Sequence, residues 1–385
     1  MIVVEARLDR TVYLAGEVLE CFVSFTNQTP EGAVPLNSSD SESLAWASAQ
    51  LHCQCSVSEA RVVWPGEDTG EVPHGQEGSD TVFIPSRGER GHTVLSTSPR
   101  ILFCDLKLHK GETKTYLYRE VIPREAPLSY RGHSVKYSYK VTIGTQRVGA
   151  PTKLLRVPFR VLVVYDLGDP TVYEEVPPSN PFLEEQRQEG SLLELAGQVL
   201  TTITGRKSPN VYNITNQRGT VGKFTLFKSA YRIGEDIVGS FDYAGASVPC
   251  MQFTVTLQSE EHIAEECRRK PSQAVATMSF SRHHEFCLHT QRGHMILPIP
   301  LSATPSFMTD IVTVKWRLHF EFVLACSPIS QPELPTSQSE STTWQGPSSV
   351  AVDTMVWDLP IKVLPTNPLQ ATAVSLIKSS SSIKV

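Results

Sequence analysis

The chain has 385 residues, enough for two domains with full cores, and carries a formal net charge of −5. That acidic balance gives no electrostatic case for nucleic acid, whose readers usually carry a basic domain. No apolar run reaches the ~18–20 residues that span a membrane, and the opening MIVVEARLDR has too short an apolar segment for a signal peptide. The chain is therefore expected to be cytoplasmic.

Cysteine usage fits that expectation. Cys21, Cys53, Cys55, Cys104, Cys250, Cys267, Cys287 and Cys326 contain no CxxC pair. In a reducing compartment they are expected as buried small apolar residues. Sequons at Asn27, Asn37 and Asn213 would stay unmodified there. The 27 prolines, among many Val, Thr and Ser, favour strands and loops over helices.

In chain order, strand-like text over residues 2–26 is broken by the turn Tyr13-Leu14-Ala15-Gly16-Glu17. Glycine in that turn supplies a positive φ at little cost. Val18, Cys21, Val23 and Phe25 follow on one face. Thr29–Ser43 and Pro65–Ser98 are low-complexity text that cannot bury enough apolar surface to offset ordering entropy, so both are expected to be mobile loops. Between them Cys53 and Cys55 share one face of a strand starting near Leu51. Two such residues without a second pair fit a buried strand face better than a metal site. Ile122-Pro123 leads to Ala126-Pro127-Leu128-Ser129-Tyr130 and then to Val135, Tyr137, Tyr139 and Val141 in alternation. Val157-Pro158-Phe159-Arg160-Val161-Leu162 closes the unit.

A linker follows, Asp166–Asn210, acidic and Pro-rich at its start. Asn180-Pro181-Phe182 within it is a short motif read by some adaptor domains, and equally an Asn-Pro turn. In the Pro-free stretch Leu192, Leu195, Ala196 and Val199 fall at i, i+3, i+4 and i+7, which predicts an amphipathic helix. Its stripe either packs across the chain's own domains, the commoner use, or docks on a partner subunit. Gly205-Arg206-Lys207-Ser208 lacks the first glycine of a phosphate loop, since Leu stands at 200.

From Gly222 onward the phrases return. Tyr231-Arg232-Ile233-Gly234-Glu235 repeats the first turn at an offset of 218. Pro300 and Phe307 repeat Pro123 and Tyr130 at an offset of 177, and lead into Val312, Val314, Trp316, Leu318, Phe320 and Phe322. Leu359-Pro360-Ile361-Lys362-Val363-Leu364 repeats the closing strand at an offset of 202. Three anchors in the same order mean one domain present twice. The shifting offsets place extra residues in the first copy before Pro123, and in the second at Ser327–Ser349, also expected to be a mobile loop. The predicted fold is all-β: two antiparallel β-sandwiches at 1–165 and 213–365, a linker with one helix at 166–212, and a disordered tail at 366–385.

No catalytic constellation emerges. His284-Glu285 with His289 is HExxxH, one residue too long for the zinc motif, and His283, His284, Cys287, His289 and His294 lie in strand-like text. No GxSxG elbow occurs. Arg268-Arg269-Lys270, preceded by four glutamates, fits a solvated loop better than a lipid-headgroup site.

The duplicated anchors carry a resemblance. Tyr13-x-x-Gly16-Glu17-Val18 resembles the first hairpin of arrestin-fold domains. Pro123-x-x-Ala126-Pro127-x-Ser129-Tyr130 and its counterpart ending in Phe307 resemble their middle strands. Within that superfamily the whole chain resembles the family of the retrograde Golgi transport protein Rgp-one, including the start MIVVEARLDR and the strand phrase IVTVKWRLHFEF. The resemblance implies a tandem sandwich, no cofactor, and a larger Ric-type partner subunit. It implies that the pair is a guanine-nucleotide exchange factor for a Golgi Rab GTPase of the Rab-six class, in retrograde transport. This chain would be the non-catalytic scaffold, recruited to Golgi membranes with a peripheral contact there. A free-standing arrestin-like cargo adaptor is the competing reading. The candidate partner-binding residues are Leu192, Leu195 and Val199 on the helix, and Lys315, Arg317 and His319, expected as a modest positive strip on the outward face of the 312–322 strand.

Overall fold

The computed structural model describes residues 1–28, 41–65, 81–164, 192–205, 208–327, 329, 349–373 and 377–385. The first copy contains β1 (Ile2–Leu8), β2 (Val12–Leu14), β3 (Val18–Asn27), β4 (Ser41–Val57), β5 (His92–Ser96), β6 (Arg100–His109), β7 (Thr113–Val121), β8 (Tyr130–Arg131), β9 (Val135–Gln146) and β10 (Lys153–Leu162). Helix α1 (Leu192–Ile203) follows. The second copy contains β11 (Asn210–Asn216), β12 (Gly219–Leu226), β13 (Ala230–Arg232), β14 (Asp236–Asp242), β15 (Cys250–Ile263), β16 (Val275–Phe286), β17 (Arg292–Pro298), β18 (Phe307–Met308), β19 (Val312–Ala325) and β20 (Val352–Leu364). A short helix α2 (Pro368–Ala373) and β21 (Ser380–Lys384) end the chain.

The duplication is visible in the topology. One sheet of each copy runs β2-β10-β9-β4-β5 or β13-β20-β19-β15-β16, and the facing sheet contains β1-β3-β7 or β12-β14-β17. β19 lies between β15 and β20, and its alternation is realised as drawn: Val312, Val314, Trp316, Leu318, Phe320 and Phe322 are all buried. The indole of Trp316 donates to the carbonyl of Thr304 at 3.0 Å, which satisfies its polar edge inside the core.

The repeated turn also repeats its chemistry. Gly16 and Gly234 have φ of +93° and +87°, a region that side chains with a Cβ avoid. The next residue caps the turn with its carboxylate: Glu17 accepts from the backbone N–H of Leu14 at 2.6 Å, and Glu235 from that of Arg232 at 3.0 Å. The glycine N–H groups donate to Ile122 and Ile299, tying each turn to the facing sheet's last strand.

Three expectations need correction. Residues 41–43 belong to β4, and residues 81–98 are placed on the first sandwich and contain β5; the rest of those two loops and 330–348 lie outside the described residues. The tail is not disordered throughout: β21 pairs antiparallel with β1, Val3 opposite Lys384 and Arg7 opposite Ser380. The Ser-rich composition hid this because backbone groups, not side chains, do most of the pairing. β1 offers an open edge, and Ile383 and Val385 of the tail pack on the core. β21 thereby takes beside β1 the position that β11 takes beside β12. Finally, Cys104 and Cys326 are exposed, while the other six cysteines are buried. Burial pushes the Cys21 and Cys53 thiols up to about 12, which keeps them protonated and inert.

The placed part of the first insertion is held by charge. Glu89 accepts from His52 at 3.3 Å, lies 3.2 Å from the Arg156 guanidinium, and pairs with the Lys140 ammonium. Burial pushes its carboxyl up, but the hydrogen bonds from His52 and Lys140 and the charges of Lys140 and Arg156 outweigh that and hold it down at about 2. A depressed carboxyl contributes stability that is present in full above its ordinary value of 4.5 and lost as pH falls through about 2. Glu89→Gln is therefore expected to destabilise the protein at neutral pH, with the difference from wild type vanishing between those two pH values in urea titrations.

Candidate partner interface

The two sandwiches meet along residues that the sequence presents as ordinary turns and strand ends. The loop after β4 and the loop after β15 clasp each other. Val63 donates its N–H to Cys267 at 2.9 Å, Arg269 to Arg61 at 3.0 Å, and the Arg61 guanidinium to the Gln273 carbonyl at 3.0 Å. Arg160 on β10 reaches the carbonyl of Ala303 at 2.9 Å, and Tyr137 meets Thr309 at 3.2 Å. The rings of Tyr130 and Phe307, duplicates of each other, touch edge to face at 4.9 Å.

At the centre of the seam stands Glu261, 5% exposed. Its carboxylate comes from β15 of the second copy and takes three donors from the first: the Tyr130 hydroxyl at 2.5 Å, the His133 N–H at 3.0 Å and the Ser134 N–H at 2.8 Å. Burial, then the hydrogen bond to Glu261, pushes the Tyr130 hydroxyl well above the usual phenol range, so it stays a donor. Strand phase was the available signal for this residue. Phe253, Val255, Leu257 and Ile263 form the inward row of β15, and Glu261 stands in it.

Helix α1 packs over one end of the seam. Ala196, Val199 and Leu200 are buried against Val12, Leu14, Leu162 and Val164 of the first copy, Leu364 of the second, and Ala371 of α2. The stripe thus does its commoner job and bridges both sandwiches. Val199, expected as a partner contact, is 1% exposed and consumed internally. Leu192 and Leu195 are different: they stay half-buried and line a cleft of about 1000 Å³ between the sandwiches, with Trp64, Tyr137, Val164 and Met308. Met308 is exposed on its rim. An open, mainly apolar concavity between domains is a usual place for a ligand or a partner segment.

The other predicted strip is not positive. Arg317 pairs with Glu260 at 2.7 Å and Asp358 at 3.2 Å, and His319 lies between Asp358 at 2.6 Å and Glu321 at 3.4 Å. The neighbouring strands β15 and β20 bring Glu260 and Asp358 alongside, which one strand's sequence cannot reveal, while Glu321 stands on β19 itself. Only Lys315 of the three is exposed. His283 stacks on Phe253, His284 meets Thr254, and no group of three metal-binding side chains occurs among the described residues. Asn180-Pro181-Phe182 lies outside the described residues.

A family model described as Rgp1 matches residues 74–172 and 180–325. The chain belongs to the Rgp1 family. It is 51% identical over 395 residues, spanning all of both chains, to the Homo sapiens protein RAB6A-GEF complex partner protein 2. It is 51% identical over 372 residues to the Bos taurus protein of the same name, covering 94% of this chain and 93% of the relative. The Rgp1 family match covers β5 to β10 and α1 to β19, and so part of the seam and cleft. Among the described residues of this Rgp1-family chain, no helix is long and apolar enough to cross a membrane.

Proposed function

We propose that the chain is a non-catalytic subunit of a guanine-nucleotide exchange complex acting on a Golgi Rab GTPase of the Rab-six class in retrograde transport. The observation that carries this reading is the 51% identity, end to end in both chains, to a protein named as a RAB6A-GEF complex partner. Its share of the work is binding. Exchange needs no acid, base or nucleophile, only a preference for the nucleotide-free GTPase, and differential binding supplies that. The chain scaffolds a larger Ric-type subunit, and the complex is cytoplasmic with recruitment to Golgi membranes through a peripheral contact. The cleft beside Leu192 and Leu195 is the docking surface to test first, because it is mainly apolar, open and set beside the hydrogen-bonded seam.

The test is reconstitution. Purified alone, the chain is expected to leave nucleotide release from the GTPase at its basal rate; purified with the larger subunit it forms an active heterodimer. Leu192→Ser with Leu195→Ser is expected to cut recovery of the larger subunit at least about tenfold, a loss of ~1.4 kcal/mol or more, with an unchanged thermal transition. A stable monomer that recovers sorting receptors or coat proteins, and no larger subunit, would overturn the proposal in favour of a cargo adaptor.

A further inference from the structure

The outward face of β4, β9 and β10 carries a group of basic side chains that the seam does not use. His52, Lys140 and Arg156 come from three adjacent strands and converge on Glu89. The duplication supplies an internal comparison. Lys140 corresponds to Arg317 at the offset of 177, and Arg156 to Asp358 at the offset of 202. By register His52 corresponds to Gln258, each standing opposite its cation. In the second copy the strands neutralise their own cation, through Glu260 and Asp358. In the first copy the strand-borne acid at the Asp358 position is replaced by a base, and the counter-charge arrives from an inserted loop.

That loop is a plug held mostly by polar contacts. Arg156 donates to the carbonyls of Pro85 at 2.9 Å and Arg87 at 2.6 Å, and Ser56 to that of Arg90 at 3.0 Å. Phe83 lies over Gly144, where a side chain on residue 144 would collide with the ring. None of residues 81–91 is fully buried, whereas the floor beneath is: His52 and Thr142 are both 0% exposed. Segments with so few buried contacts open at low cost. Two floor atoms, His52 Nδ1 and Thr142 Oγ1, have no hydrogen-bond partner among the described residues. One carboxylate therefore leaves the site with surplus positive charge and unused polar capacity, and buried polar atoms of this kind ordinarily find partners.

We propose that His52, Lys140 and Arg156 form a docking seat for an acidic peptide segment of a partner protein, with Glu89 holding the seat closed as an internal stand-in for that segment's carboxylates. Opposite charge on both sides selects the occupant, and a chain bearing several carboxylates outcompetes the single one of the plug. The seat lies on a sheet face and does not involve the cleft, so its failure would leave the exchange-complex reading untouched.

The full chain is tested by fluorescence anisotropy with a fluorescein-labelled hexaglutamate peptide at low salt. Glu89→Ala is expected to bind the peptide about tenfold more tightly than wild type, as removal of one charge-assisted competitor implies. Lys140→Glu with Arg156→Glu in that background should erase the gain, and added salt should weaken it. Saturating peptide should also speed tryptic cleavage of the wild-type chain after Arg87 and Arg90. Glu89→Gln, the gentler change, should show a smaller gain of the same sign. Equal binding by wild type, Glu89→Ala and Glu89→Gln would overturn the proposal, as would a gain that survives the double charge reversal.

Discussion

Replacing Gly132 with alanine is expected to cost about 3–5 kcal/mol, a loss typical of breaking a buried charge from its partners. Residue 132 has no unusual φ among the positive values of the chain, so the backbone accepts alanine. Its new Cβ, however, would sit within the Glu261 carboxylate and against the Tyr130 hydroxyl. Eviction of Glu261 strands the N–H groups of His133 and Ser134 in the seam, at ~1–3 kcal/mol for each unsatisfied group. Equilibrium urea unfolding measures the loss, and small-angle scattering reads the outcome for shape: the two sandwiches should separate while circular dichroism keeps its strand signal. Glu261→Gln is the informative control, since it keeps the side-chain volume and one acceptor oxygen. It should cost less than Gly132→Ala. Equal stability of Gly132→Ala and wild type would show that the carboxylate does not hold the domains.

The second large effect lies in α1. Val199→Asp puts an unpaired charge into the apolar cluster that closes over the seam's end, and about 4–5 kcal/mol is the expected loss for such a substitution. Leu195→Asp, one helical turn earlier on the cleft wall, should stay within about 1 kcal/mol of wild type because its side chain is half-exposed and can turn to solvent. Thermal unfolding of the two variants therefore separates a residue that builds the molecule from one that faces outward. Similar losses for both would mean that the helix is gripped all round and presents no free face.

Much of this architecture was legible in the chain. Alternation drew β19 correctly, the Gly-Glu turns located both copies, and the spacing of Leu192, Leu195, Ala196 and Val199 drew α1. What stayed hidden has a main cause: sequence periodicity reports which side of an element is apolar, not which other element arrives there. Val199 read also as a partner contact, yet it is buried in one cluster with Leu364 and Val12. Arg317 and His319 read as a positive strip because Glu260 and Asp358, which meet them, stand on other strands. The seam was hidden for a further reason. Its centre is a single carboxylate in an apolar row, and the neighbouring Glu260, Glu265 and Glu266 made it look like one more solvated acid. The cleft was half visible, since two of its walls, Leu192 and Leu195, were chosen from their spacing alone.

The pairing of β21 with β1 closes the sheet of the first sandwich with residues that lie beyond the second one in the sequence. Until Ser380–Lys384 have been made, β1 is an open edge, of the kind that recruits stray strands from other nascent chains. A molecule cut anywhere between the second sandwich and Ser380 would keep that edge, and with it a structural mark that sets it apart from an uncut copy.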